Sequence, residues 1–512
     1  GERPFGSKLG FRYADRGSSM SESVRPRAAS SVKTWDAEAD VVIAGFGTAG
    51  SAAAAEAAAS GAEVLVLERT SGWESAAGAL SGGLIYLGGG TDIQKACGFD
   101  DTPDNMFTFL VAAMGPGVDE ARCRVYCDGS VDHFDWLVSC GVPFKASFWE
   151  TPAWEIPLDD GLMYSGGENA YPFNELAAPA PRAHVPQMEG KKTGRRGGGW
   201  MLLNHVTKTA LELGTQIRYD TSVERLVVDE DGAVVGVIAR NYGNEVAVRA
   251  RGGVVLTTGS FTYSDRLLEY NSPWLLGRPG SAVEAHDGRS IRMGQAVGAD
   301  VRHMDAFECA LGIDPALLVR GILVNSNGQR FINEDTYPGR IAHAILRTQD
   351  NDAFLIIDEA SYEESPEPLR LKFLKLRPTW VSATPEELEK EIGMPEGCLR
   401  ATVDLFNNHA ASGTDPMFHK SPKWVRPLGS PLGAIDLRGM CNGFTLGGLA
   451  TTPNSEVLHV DGDVIPGLYA AGRASNGIPA WGYASGTSLG DSTFFGRRAG
   501  RYAARAAAPR GG

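Results

Sequence analysis

The sequence predicts an α/β fold built on a parallel sheet, with an inserted α+β domain. Three observations lead to this prediction. A β-branched run at residues 39–44 ends in a glycine-rich turn. An alanine-rich stretch of helical composition separates it from a second apolar run at residues 63–67, an order typical of parallel sheets. Between residues 304 and 434 the chain becomes richer in proline and charge, as expected of a separate domain.

The remaining elements follow from the same signals. Residues 215–241 predict a β-meander, because two valine-rich runs flank a turn at Asp231–Gly232. The alanine-rich helix is expected to end near Ser60, before Gly61. We further predict buried strands at residues 253–257 and 467–472, and helices at residues 385–392, 399–409 and 489–505.

The composition excludes several classes of protein. The chain has 512 residues, of which 43% are hydrophobic and 21% charged, which is typical of a globular protein of two to four domains. Its 62 acidic residues outnumber 48 basic ones, giving a net charge of −14. Because nucleic-acid binding relies on a basic surface, we expect no nucleic-acid partner.

Membrane and export signals are absent from the sequence. No apolar run reaches the roughly 18 residues of a membrane span, so we expect none. Residues 1–35 are expected to be a leader, partly vector-derived before Met20, without the apolar stretch of a secretory signal. Seven scattered cysteines do not form a disulfide framework, which favours the cytoplasm. Cys123 and Cys127 lack the partners of a metal site, and none is expected.

The strongest chemical signal is the glycine-rich turn after the first strand. Gly45, Gly47 and Gly50 form a G-x-G-x-x-G motif between strand and helix, and Glu68 ends the next strand. Gly45 allows the tight turn, Gly47 lets the backbone approach a pyrophosphate, and Gly50 packs the helix on the strand. A carboxylate at Glu68 can accept a ribose hydroxyl. The motif therefore predicts a Rossmann-like site for FAD or NAD without distinguishing them.

A second glycine-rich region favours FAD. The apolar strand at residues 467–472 leads into a Gly/Ser-rich stretch, after which a helix begins at Ser488–Leu489. The positive end of a helix dipole suits the N1/C2 carbonyl edge of a reduced flavin. A glycine-rich loop before an ordinary helix would have the same sequence, so this signal is weak by itself.

Five motifs in order resemble the FAD-dependent fumarate reductase/succinate dehydrogenase flavoprotein family. They are VVIAGFGTAG…LVLER from residue 41, SAAGALSGG from 75, VVLTTGSF from 254, GLYAAGR from 467 and GTSLGDSTFFGRRAG from 486. The resemblance implies a glutathione-reductase-type FAD domain at residues 36–303 and 438–512, interrupted by a capping domain at residues 304–437. It further implies that FAD is lined by Glu68, Ala76, Gly82, Gly83, Val223, Gly259, Gly472, Ser488 and Leu489. The segment 75–83 contains no His, so FAD is expected to be non-covalent.

The departures from fumarate reductases concern the substrate. Where those enzymes carry a substrate-binding His and a carboxylate-binding Arg, this chain has Phe444 and Tyr483. Desolvating a dicarboxylate without a cationic partner is costly. We therefore expect a neutral, apolar substrate.

The substitutions resemble the 3-ketosteroid dehydrogenases instead. The run 482–486 is similar to their Gly-Tyr-Pro-Gly pattern, and the run 333–337 to their Asn-Glu…Tyr. Ala484–Ser485 replaces Pro-Gly, which resembles the Δ4-(5α) branch that introduces a C4–C5 double bond. By this resemblance Tyr483 holds the C3 ketone, Ser485 takes the C4 proton with the help of Tyr337, and N5 of FAD accepts the C5 hydride.

Three alternatives stay open at this point. Δ1-dehydrogenation of the same steroids is the nearest, followed by a fumarate-reductase-like flavoprotein. The third is a non-catalytic flavoprotein or the flavin subunit of an electron-transfer complex, which would bind an iron–sulfur partner. The external electron acceptor is not identified by the sequence.

Overall fold

The computed structural model of the protein describes residues 23–187, 197–369 and 374–507. Its strands are β1 (Arg27–Ala28), β2 (Ala37–Ala44), β3 (Val64–Leu67), β4 (Ile85–Tyr86), β5 (Phe148–Trp149), β6 (Leu162–Met163), β7 (Ala183–His184), β8 (Gln216–Arg218), β9 (Thr221–Val228), β10 (Val234–Asn241), β11 (Asn244–Leu256), β12 (Val301–Arg302), β13 (Phe307–Leu311), β14 (Ile322–Val324), β15 (Phe354–Asp358), β16 (Trp380–Ser382), β17 (Leu432–Asp436), β18 (Cys441–Thr445), β19 (Gly448–Leu449), β20 (Glu456–Leu458) and β21 (Val464–Ala470).

The α-helices lie between these strands and after the last one. They are α1 (Thr48–Ala59), α2 (Ala77–Leu80), α3 (Asp92–Ala96), α4 (Pro103–Ala113), α5 (Glu120–Asp128), α6 (Ser130–Ser139), α7 (Phe173–Leu176), α8 (Gly198–Glu212), α9 (Asp265–Asn271), α10 (Arg289–Ala296), α11 (Pro315–Leu318), α12 (Pro338–Thr348), α13 (Glu359–Glu364), α14 (Pro385–Ile392), α15 (Cys398–Ala410) and α16 (Thr487–Ala507).

The main sheet has a parallel centre. Strands β8, β3, β2, β11 and β21 lie side by side in that order and all run parallel. Leu65, Val42, Val254 and Leu468 stand in one row across four of them, and all four are buried. The α/β class with a parallel sheet, predicted from the sequence, is thereby confirmed.

A meander extends this sheet. β9 and β10 pair antiparallel, as predicted, and β11 continues the meander beside β10 and also belongs to the parallel part. The strand predicted at residues 253–257 is thus the end of a longer one. β1 pairs in parallel with β9, so residues 27–28 of the predicted leader add a strand to this edge.

Small residues bring α1 and α16 into close contact. α1 buries alanines on every side. A Cβ atom added at Gly496 would lie 3.1 Å from the Cα atom of Ala49, and one at Gly500 2.9 Å from that of Ala53. Only glycine permits so short a distance between the helices. The packing fixes the first turn of α1 against the middle of α16, next to the site described below.

A second sheet forms within the predicted insertion. β14, β15, β17 and β16 make four antiparallel strands in that order. α14 and α15 pack against this sheet, and both were predicted within one residue of their ends. The strands β13 and β18, which precede and follow this part of the chain, pair antiparallel with each other. They form a separate two-stranded sheet.

In the described part of the chain, no helix combines the length and the apolar character needed to cross a bilayer.

Candidate active site

The first turn of α1 faces a cavity of about 420 Å³ at the carboxyl ends of β2 and β3. The predicted cofactor residues that line it are Gly45, Gly47, Glu68, Ala76, Val223, Gly259, Gly472, Ser488 and Leu489. They come from six separate segments of the chain. Folding therefore brings most of the predicted set to one place.

The glycine-rich turn is shaped by close backbone contacts. Gly45 has φ +95°, and a Cβ atom there would lie 2.8 Å from the carbonyl oxygen of Thr257. Gly50 lies outside the cavity, and a Cβ atom on it would lie 2.8 Å from Oγ1 of Thr257. It packs α1 against the sheet, as predicted. No side chain caps α1 at Gly47, so its first amides are available to an anion.

Glu68 is fixed at the rim of this cavity. Its carboxylate accepts hydrogen bonds from the N–H of Phe46 at 2.6 Å and of Thr70 at 2.8 Å. A carboxylate has about four acceptor sites, so capacity for a further hydroxyl donor remains. This remaining acceptor capacity suits the 2′-hydroxyl of a ribose.

A second cavity of about 450 Å³ adjoins the first. The two share Arg473 and the first turn of α16 at Ser488–Leu489. Gly82 and Gly83, predicted as cofactor residues, line this second cavity instead of the first. The residues Tyr337, Tyr483 and Ser485, predicted to be catalytic, lie together on its wall.

Aromatic rings surround the predicted catalytic residues. The ring centroid of Tyr483 is 6.3 Å from that of Tyr337 and 5.9 Å from that of Phe444. Trp154 meets Tyr337 edge-on at 6.1 Å. These rings are buried. The wall they form suits a flat apolar ligand.

Hydrogen bonds fix Tyr483 and Ser485. The N–H of Ser488 donates to the Tyr483 hydroxyl at 3.3 Å, so the hydroxyl proton is free to point elsewhere. The backbone of Ser485 is held by Ser165, whose carbonyl accepts its N–H at 3.0 Å and whose hydroxyl donates to its carbonyl at 2.6 Å. Ser485 and Tyr337 line the same cavity.

Sequence reasoning missed Glu308. The Tyr337 hydroxyl donates to its carboxylate at 2.5 Å. The side chain lies in β13, opposite Phe444 of β18, and is 6% exposed. Burial raises the pKa of Glu308 to about 8, although the hydrogen bond from Tyr337 opposes the rise. The only signal in the sequence was an acid within an apolar strand.

Arg473 was not identified as a site residue from the sequence either. Its guanidinium lies over the Phe444 ring, 4.2 Å from the centroid, and donates to the carbonyl of Ser281 at 3.1 Å. Burial lowers the pKa of Arg473 to about 10. Among the residues that the structure describes, the second cavity thus has one cation, already engaged by a ring and a carbonyl, and two buried carboxyl groups, Glu155 and Glu308.

A buried ion network positions the segment that carries Tyr337. Glu334 is fully buried and accepts hydrogen bonds from Arg330 at 2.8 Å and from the N–H of Leu323 at 2.8 Å. Lys420 is 3.4 Å from the same carboxylate. Tyr337 lies three residues after Glu334 and occupies the N-cap position of α12. The network therefore determines where the Tyr337 ring enters the cavity.

We expect E334Q to destabilise the protein by about 3–5 kcal/mol, because it leaves buried cations without their partner. Burial raises the pKa of Glu334, but Lys420 and Arg330 outweigh it and the net shift is downward. This stabilisation is therefore complete above the unfolded pKa of about 4.3 and is lost as the pH falls below it. Urea denaturation followed by circular dichroism measures the difference.

The exposed pair of Arg426 and Glu364 offers the control. Surface ion pairs contribute little, so E364Q should leave the denaturation midpoint nearly unchanged. Equal shifts for E334Q and E364Q would contradict the role assigned to the network.

Comparisons with known proteins agree with this geometry. Residues 40–489 match the FAD binding domain family. The chain is similar to the crystal structure of 3-ketosteroid-Δ4-(5α)-dehydrogenase from Rhodococcus jostii RHA1 in complex with 4-androstene-3,17-dione. The two are 62% identical with a TM-score of 0.92, covering 94% of this chain and 100% of the other.

Two curated relatives are more distant. The 3-oxo-5-alpha-steroid 4-dehydrogenase of Comamonas testosteroni is 27% identical, over 86% of this chain and 93% of its own. A probable fumarate reductase of Shewanella frigidimarina, Ifc3, is 28% identical, over 91% of this chain and 74% of its own.

Proposed function

The chain belongs to the FAD binding domain family and is a FAD-dependent oxidoreductase acting on CH–CH groups, and from this premise we propose that it oxidises 5α-3-ketosteroids by introducing a C4–C5 double bond. One observation carries the proposal. Tyr337, Tyr483 and Ser485 lie on the wall of an aromatic cavity that adjoins the cofactor cavity, in a chain 62% identical to a 3-ketosteroid-Δ4-(5α)-dehydrogenase.

The first cavity suits FAD. The uncapped first turn of α1 would hold the pyrophosphate, and Glu68 a ribose hydroxyl. The first turn of α16, at Ser488–Leu489, would face the isoalloxazine where the two cavities meet. When bound, FAD supplies the hydride acceptor for the hydrogen on C5. With no His in the segment 75–83, we propose that FAD is held non-covalently.

The second sheet supports a capping role for residues 304–437. β13, near the start of this part of the chain, pairs with β18, which follows its end. The second cavity is lined from both sides, by Glu308 and Tyr337 of the insertion and by Tyr483 and Ser485 of the FAD domain. Substrate bound there would lie between the two domains.

The chemistry requires a polarised ketone and a base. The Tyr483 hydroxyl accepts a hydrogen bond from the N–H of Ser488, so its own proton is free to be donated to the C3 oxygen. That hydrogen bond would stabilise the enolate charge that develops on the oxygen. Ser485 would take the C4 proton. A serine hydroxyl is a weak base, so it would pass its own proton to Tyr337, which lines the same cavity wall.

The apolar cavity wall favours a steroid substrate over a dicarboxylate. Phe444 and Tyr483 place rings at the substrate, and the guanidinium of Arg473 is already stacked on Phe444. A dicarboxylate in this cavity would also lie near the carboxyl groups of Glu155 and Glu308. Desolvation of its charges opposes its binding, and neither carboxyl group offers it a cationic partner.

Anaerobic mixing of the purified holoenzyme with 5α-androstane-3,17-dione tests the proposal. We expect the visible flavin absorption to bleach, and the product to be 4-androstene-3,17-dione by mass spectrometry and NMR. Bleaching only with a 4-ene-3-ketone would establish the Δ1 reaction in its place. Reoxidation of the reduced enzyme by fumarate would favour the reductase, and no bleaching with either steroid would refute steroid oxidation.

A further inference from the structure

We infer that Glu308 receives the C4 proton, through Ser485 and Tyr337, and releases it to solvent through a third cavity behind the active site. The inference rests on the proposed function, because it describes where the proton goes after Ser485 has removed it. It assigns a role to a buried carboxylate that neither ketone binding nor hydride transfer uses.

The first observation is the direct contact between Tyr337 and Glu308. The Tyr337 hydroxyl donates to the Glu308 carboxylate at 2.5 Å, and both side chains are at most 6% exposed. Tyr337 caps α12, while Glu308 lies in β13, and this helix and strand pack against each other. A proton that reaches Tyr337 therefore has an acceptor already hydrogen-bonded to it.

Gly339 makes the contact possible. A Cβ atom at this position, in the first turn of α12, would lie 2.6 Å from Cζ of Tyr337 and would collide with Cε1 of the same ring and with an oxygen of Glu308. Backbone strain does not require glycine at this position, because no positive φ occurs there. The space it leaves is filled by the tyrosine–glutamate pair.

The second observation is the cavity behind Glu308, of about 220 Å³. Glu308 and Tyr483 line both this cavity and the second one. Its wall includes Trp481, which is 41% exposed, and the exposed Pro116, so the cavity reaches the surface. Glu308 thus stands between the substrate and solvent.

Polar atoms continue the path on the far side. Nε2 of His343 and Nη2 of Arg340 are buried without a hydrogen-bond partner among the residues that the structure describes. Both residues line the third cavity. Buried polar atoms of this kind usually bind water, which would take the proton from Glu308.

The charges around Glu308 suit an acceptor that also releases its proton. Arg340 and His343 lie on α12 beside it, Tyr483 lies on the loop before α16, and the strand opposite presents the uncharged Phe444. Burial raises the pKa of Glu308 to about 8, while Tyr337 and Arg340 favour the carboxylate. A pKa near neutrality lets the group gain and lose a proton in each turnover.

In this proton transfer, each O–H or C–H bond that breaks is matched by an O–H bond that forms. The C4–H bond breaks and Ser485 gains that proton while its own moves to Tyr337. The Tyr337 O–H bond breaks and Glu308 becomes a carboxylic acid, which then releases the proton to water. The C5 hydrogen leaves with its electron pair to FAD.

The pH dependence of flavin reduction tests the inference. For the wild-type holoenzyme mixed with 5α-androstane-3,17-dione, we expect the limiting rate constant to rise with pH through an apparent pKa near 8, because only the carboxylate accepts a proton. E308Q should lower this rate constant about 100-fold, at the lower end of the usual contribution of a proton-transferring side chain. It should also remove the rise with pH while leaving steroid affinity unchanged.

Two further variants separate proton transfer from structure. E308Q should have no added effect in Y337F, since Glu308 acts through that hydroxyl. G339A keeps the Glu308 carboxylate but separates it from the Tyr337 hydroxyl. If E308Q fails to retain FAD, G339A should show the same decrease in the rate constant. E389Q replaces a buried glutamate outside all three cavities and should change neither rate nor pH profile.

The outcomes distinguish the inference from the proposed function. No reduction of wild-type flavin by the steroid refutes the proposed function itself. Reduction in the wild type with an unchanged pH profile in E308Q overturns the inference alone. The proton would then leave through the smaller cavity, of about 130 Å³, that Tyr337 and Ser485 line on their other side.

Discussion

S485A is expected to lower the limiting rate constant for flavin reduction by a 5α-3-ketosteroid about 10²–10⁴-fold, the usual contribution of a general base. Alanine has no group to take the C4 proton. Steroid affinity should change little, since Ser485 is held by backbone contacts with Ser165 that alanine preserves. Anaerobic stopped-flow spectroscopy measures the rate constant and the dissociation constant together.

S382A is the matched control for this experiment. Ser382 is a buried serine of β16 that lines none of the described cavities, and its hydroxyl has no partner among the described residues. It should reduce its flavin at the wild-type rate. Retention of more than about a tenth of the activity in S485A would contradict a general-base role for this serine.

Y483F is expected to lower the same rate constant about 10²–10³-fold, as for removal of one donor from an oxyanion site. Without the hydroxyl, charge that develops on the C3 oxygen loses its principal donor. The N–H of Ser488 also loses the acceptor that it has at 3.3 Å, but that bond is long. FAD content, measured by absorbance, should stay unchanged.

Y469F is the control for Y483F. The Tyr469 hydroxyl donates to the carbonyl of Tyr502 at 3.5 Å and lies outside the cavities. The two variants lose the same atom, so a comparable decrease in both would show a general effect of hydroxyl removal. Loss of steroid affinity in Y483F with an unchanged rate constant would limit Tyr483 to substrate binding.

The sequence determined the elements whose signals are local. β2, the glycine-rich turn and α1 were predicted within about two residues. Strand periodicity, helix composition and glycine positions are signals that act over a few residues. The same holds for α14 and α15. The predicted cofactor and catalytic residues came largely from short motifs, and folding places them around two adjoining cavities.

Only the tertiary structure decided what depends on distant pairing. β11 is much longer than the predicted run at residues 253–257, since its first half pairs with β10 and its second with β2. Residues 27–28 form a strand only because β9 lies beside them.

The contact between Glu308 and Tyr337 is the clearest example of a feature that only the tertiary structure decides. Glu308 is separated by 29 positions from Tyr337, and one residue lies on a strand and the other at a helix terminus. No local pattern relates them, because the contact arises only when α12 packs against β13 and Gly339 leaves room between them. The sequence by itself determined the cofactor fold and the motif residues, whereas packing over long range decided which buried carboxylate meets them.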